Sequence, residues 1–152
     1  MTDRAFVISN EASRIRIERL VARLTESDDT VRIDADWTVA ALLGHVAFWD
    51  RFHAARWRAA LAAGQVVPGP MPEADLINDA LFRLLWRLPA RGAAEAALEA
   101  AAAANTTIAS LSDASVEAAR AAGMPRLLDR SLHRTEHLDA IEAALAGAGG
   151  GG

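Results

Sequence analysis

At 152 residues, with 52% hydrophobic residues and a net charge of −4, the chain has room for one domain with its own core and nothing that would steer it toward nucleic acid. All sixteen basic residues are arginine, which reads best as composition on a solvated surface, and the lack of cysteine excludes disulfides, cysteine–zinc sites and a cysteine nucleophile. No apolar run reaches transmembrane length and Met-Thr-Asp-Arg is not a secretory leader, so a cytoplasmic location with no membrane contact is expected.

Alanine, leucine, arginine and glutamate dominate, and these are strong helix formers. The spacing predicts a first helix from about Glu11 to Glu26, capped by Asn10, with Ile15, Ile17, Leu20, Val21 and Leu24 as its apolar stripe. A polar connector over 27–37 precedes a second helix, capped by Thr38 and ending at Ala63 before Gly64. The prolines of QVVPGPMP forbid helix over 65–72. A short helix from Glu73 to about Arg87 follows and stops before Pro89. The alanine-rich run from about Arg91 to Leu111 makes the third long helix.

Residues 112–123 read as a connector with a weak helical turn, and Pro125 as the first residue of a last helix reaching Leu145. The expected fold is therefore all-α: a four-helix bundle over 1–146 with one short extra helix. Residues 147–152, GAGGGG, read as a flexible tail. Antiparallel neighbours need only short loops, so the stretch of about 25 residues between long helices 2 and 3 implies a crossover.

His133 and His137, in SLHRTEHLDAI, are four apart on one helix face, close enough to share an ion. His45, in LLGHVAFWD, lies among Leu42, Val46 and Trp49 on the apolar side of the second helix. Alone it reads as a core histidine; opposite an inward-facing pair it reads as a third ligand, since bundles build metal sites from facing helices. Three nitrogen ligands leave a coordination position open, as in catalytic sites, where a divalent ion would activate water or a thiol.

Other residues near the triad have ordinary readings beside functional ones. His53 is two turns from His45 and is either a proton shuttle or, more commonly, a surface histidine. Trp49 is core or substrate platform. Asp50 and Glu136 either orient a ligand imidazole or pair in solvent with Arg51 or Arg134. Arg126 and Arg130 could meet an anionic substrate, but a solvated face is the simpler reading.

The pattern W-T-x-x-x-L-L-x-H-V-x-x-W-D from Trp37 to Asp50, with H-x-x-x-H on the last helix, resembles the DinB/YfiT-like superfamily, which includes mycothiol-dependent maleylpyruvate isomerases. The resemblance covers roughly residues 8 to 145. It implies a four-helix bundle holding zinc, nickel or iron through His45, His133 and His137. There are departures: Ala41 stands where many members have an acid, His133 where the isomerases have glutamate, and Ile77, before Asn78, where they have arginine. An appended second domain of the kind the isomerases carry is not expected from these 152 residues.

The resemblance implies a metal-dependent transferase or isomerase that acts on a small molecule with a low-molecular-weight thiol as co-substrate. A homodimer is compatible with it. A metal-dependent hydrolase and a non-catalytic stress or binding protein with a structural ion stand as alternatives.

Overall fold

The computed structural model describes residues 1–150, and among these the chain is all-helical apart from an isolated bridge between Arg32 and Thr38. Helix α1 spans Ala5–Arg23, α2 Val39–Ala62, α3 Ala74–Leu85, α4 Ala90–Ala109, α5 Asp113–Ala121 and α6 Ser131–Gly149. No helix is long and apolar enough to cross a membrane.

The expected elements are present, with local corrections. Asn10 does not cap α1. It is buried within that helix, where its Nδ2 donates to the Leu128 carbonyl and its Oδ1 accepts from Ser131 N. The helix starts instead at Ala5, whose N–H donates to Asp3 Oδ1. It ends at Arg23, because Thr25 and Asp28 form a capping box for a separate 3₁₀ turn over Glu26–Asp28.

Thr38 caps α2 as expected, accepting from Ala41 N at 3.0 Å. The other end of α2 closes on Gly64, whose positive φ of 72° lets Gly64 N and Gln65 N return to the Leu61 and Ala60 carbonyls. The connector over 112–123 holds a genuine helix, α5, capped by Ser112 Oγ. Pro125 opens a 3₁₀ turn, Pro125–Leu127, and α6 begins only at Ser131, whose N–H is taken by Asn10 and Asp129. The first glycines of the GAGGGG segment continue α6 to Gly149; residues 151–152 lie outside the described residues.

The four long helices form a ring in the order α1, α4, α2, α6. Their directions follow from paired contacts. Arg51 meets Glu99, and the Cβ position of Gly44 faces Leu88 and Leu85, so α2 and α4 run parallel. Asp50 meets Arg130 and His45 meets His137, so α2 and α6 run antiparallel. Parallel neighbours cannot be joined by a tight loop, which is why residues 63–89 and α3 make the crossover.

Two apolar clusters fill the bundle. One joins Leu20, Leu43, Val46, Ala94, Ala97, Leu138 and Ile141; the other joins Phe6, Trp57, Ile108, Val116 and Leu127 beneath α5. Between them lies a polar layer built on Asp50. Its Oδ1 accepts from Arg130 Nε at 2.9 Å and its Oδ2 from Arg134 Nε at 2.7 Å, with all three side chains at 0–1% exposure.

Removing one partner of a buried ion pair leaves an uncompensated charge, at a cost of about 3–5 kcal/mol. Asp50→Ala should therefore lower the denaturant-unfolding free energy by about that amount. Glu99→Ala, which breaks only the exposed pair with Arg51, should change it by about 1 kcal/mol or less. Equal effects of the two substitutions would contradict the buried network.

Candidate metal centre

The antiparallel pairing of α2 and α6 sets His45 on α2 against His133 and His137 on α6. The Nε2 atoms of His45 and His133 are 3.1 Å apart, those of His133 and His137 3.2 Å, and one ligand atom from each ring lies within 4.8 Å of the others. Two nitrogens on a tetrahedral ion at about 2.05 Å would stand about 3.3 Å apart, so the triad is already near ligating geometry. His45 and His133 are buried, and Trp37 packs edge-on against His45 with ring centroids 5.5 Å apart.

Burial, followed by neighbouring positive charge, pushes the His45 pKa down to about 4 and lowers that of His133, while for His137 burial outweighs the opposing charge of Glu136 and lowers its pKa as well. All three rings are consequently neutral at pH 7, the form that binds a metal. The donor set fits a divalent cation, and one contact must yield to it. Arg130 Nη2 lies 3.3 Å from His133 Nδ1, and a guanidinium only donates. Without an ion, that contact places the proton of neutral His133 on Nε2, where it cannot satisfy both neighbouring nitrogens. His45, His133 and His137 would hold a shared cation, and His133 ligating through Nε2 would carry its proton on Nδ1, so the Arg130 contact would have to yield.

The triad opens on a cavity of about 850 Å³, walled by Trp37, Leu42, Trp49, Met71, Met124 and Leu127. Of the other residues singled out above, Trp49, His53, Asn78, Arg126, Arg130 and Glu136 line it, and Asp50 does not. Trp49 is buried and its Nε1 donates to Asn78 Oδ1 at 2.9 Å, which fixes the indole as a wall. Glu136 is exposed and lies 3.6 Å from Arg126 at the rim.

Neither Asp50 nor Glu136 hydrogen-bonds a ligand imidazole: both Asp50 oxygens are held by guanidiniums, and Glu136 lies beside Arg126 at the rim. His53 is not a surface residue: it is 5% exposed. Arg130 is not on a solvated face either, but buried against Asp50 and lining the cavity. The signal for Arg130 was available, since 130, 133, 134 and 137 form one stripe at helical spacing, all polar and all turned inward.

Comparison with protein families, with curated proteins and with solved structures returns no match.

Two measurements test this centre. Purified protein should carry about one equivalent of a transition metal, and His45→Ala should lose most of it; full occupancy in that variant would dismantle the triad. Because the ion binds only the folded chain, chelation should also lower the melting temperature; at a hundredfold excess over Kd the ion contributes about 2.7 kcal/mol.

The metal-free protein should show a defined acid response. His45 and His53 fall from 6.5 to about 4 and about 3 on folding, so between those values the unfolded chain binds more protons. Their contribution is fully present above pH ~6.5 and is lost as the pH falls, by up to about 1.4 kcal/mol per unit for each ring. The melting temperature should drop measurably from pH 6.5 to 5, where most carboxylates are still charged. A flat profile over that window would contradict neutral, buried rings.

Proposed function

We propose that this chain is a divalent-metal enzyme of the DinB-like, thiol-dependent transferase or isomerase type, acting on a small molecule in the cavity beside the triad. The observation that carries the reading is the convergence of three neutral imidazole nitrogens on the wall of a cavity large enough for a small ligand. A purely structural ion would need no such space. Zinc, nickel and iron all accept imidazole donors, and the ligand set does not choose among them.

The chain's own groups would prepare the chemistry in two ways. Neutral imidazoles leave the full charge of the ion uncompensated, which favours an anionic nucleophile; the ion supplies Lewis acidity and a lowered pKa to a thiol or water at its open position. Trp37, Leu42 and Trp49 wall the cavity with apolar surface, which strengthens electrostatic interactions inside it. With no cysteine in the chain, a thiol nucleophile must come from a co-substrate.

The test is a cobalt-substituted protein titrated with mycothiol, bacillithiol or glutathione. At least one thiol should perturb the cobalt spectrum at millimolar concentration, and the loaded protein should then consume a thiol-reactive electrophile in a His45-dependent way. If neither thiol nor azide alters the spectrum, the ion is closed off and the enzymatic reading fails.

A further inference from the structure

His53 is the one buried group in the cavity that neither the triad nor the fold accounts for. It sits two turns beyond His45 on α2, with Trp49 between them; the Trp49 ring centroid is 6.4 Å from each histidine ring. At 5% exposure its Nδ1 is the one buried side-chain nitrogen or oxygen without a hydrogen-bond partner among the described residues. An unsatisfied polar atom of this kind is destabilising, and a leucine there would avoid that cost. Such a side chain makes sense if a ligand completes it.

The charges around His53 indicate what that ligand carries. Arg126 and Arg130 line the same cavity as His53, and after burial the positive charges of Arg130, Arg56 and Arg126 lower its pKa. Among the described residues Asp50 is the only carboxylate paired with Arg130, and it is shared with Arg134, so the buried cluster keeps one positive charge in excess. Arg130 has five N–H groups, and three are used, on Asp50, the Arg126 carbonyl and His133, which leaves two. Arg56 donates to the Gly69 carbonyl and the Met71 sulfur and has no carboxylate partner among the described residues. Glu136, at the rim, lies near Arg126 alone. Asp34 and Asp75 also line the cavity, from the connector before α2 and from α3, and neither pairs with these guanidiniums.

We propose that His53, with the guanidiniums of Arg126 and Arg130, forms an acid-binding subsite that takes the carboxylate of a small organic acid whose apolar body lies along Trp49. The neutral imidazole donates one N–H to the carboxylate, and the surrounding positive charge compensates its desolvation. This deepens the reading of the cavity as a small-molecule site. It makes the substrate an acid with a reactive end at the triad and a carboxylate one to two helical turns away.

The probe is 4-phenylbutyrate, with the neutral 4-phenylbutyramide as control, titrated calorimetrically into metal-free and metal-loaded protein. The acid should bind both forms, and the amide about tenfold more weakly or worse. His53→Leu should weaken acid binding about tenfold or more in both forms, the loss expected for one hydrogen bond to a charged group. His53→Asn, which can restore an N–H near the Nδ1 position, should recover part of that loss, and Arg126→Gln at the exposed rim should weaken binding several-fold.

His53→Leu should melt at or above the wild-type temperature and take up metal as wild type does. The proposal is overturned if the wild type does not bind the acid, if the amide binds as well as the acid, or if His53→Leu binds the acid unchanged. It is equally overturned if His53→Leu melts well below wild type, which would make His53 a structural residue. Because the acid is also titrated into metal-free protein, failure of the metal centre would leave this result readable on its own.

Discussion

Arg134 carries a full charge with no exposed surface, and the bundle is assembled around satisfying it. From α6 its Nε reaches Asp50 on α2, its Nη1 reaches the Asn10 carbonyl and Ser13 Oγ on α1 and Asn105 Oδ1 on α4, and its Nη2 reaches the Ala101 carbonyl on α4. One side chain thus touches all three other long helices. Apolar packing alone tolerates sliding by a turn, whereas these directional contacts permit one axial alignment. Burying the charge gains little by itself; its effect is to make every other alignment expensive.

The histidine site inherits its geometry from that alignment. Arg130 and Arg134 flank His133 in sequence, and His137 follows one turn after Arg134. Anchoring the two arginines on Asp50 therefore fixes which face of α6 meets His45. The same anchor leaves an excess of positive charge at the Arg130 side of the cavity, because one carboxylate cannot neutralise two guanidiniums. Structural support and ligand preference here arise from a single arrangement of charge.

Most of the fold was legible in the sequence because it depends on local rules. Thr38 and Gly64 mark the ends of α2, the prolines of 65–72 forbid helix, and the four-residue spacing of His133 and His137 survives into the structure unchanged. What escaped depends on partners distant in the chain. Asn10 looks like a cap until Leu128 and Ser131 claim its amide, over a hundred residues away. Arginine is ordinarily a surface residue, and only the meeting of three helices supplies the acceptors that bury Arg134. Nine-residue α5 is marginal in isolation, and it is held by packing Val116 and Ala119 against Phe6 and Trp57.

The inner face of α4 is made of Ala90, Ala93, Ala94, Ala97, Ala100, Ala101 and Ala104, each at 0–1% exposure. A face already reduced to methyl groups has little volume left to lose, so truncation to glycine costs about 1 kcal/mol, mostly in helix propensity, while any added methylene overpacks against α1 or α2. Mutational drift is thereby one-sided. The outer face of α4 can vary freely in charge and length, but the inner face can exchange alanine only for glycine or serine without moving its neighbours. A random mutagenesis library should consequently show α4 as two interleaved stripes, one permissive and one closed to anything larger than a hydroxymethyl group.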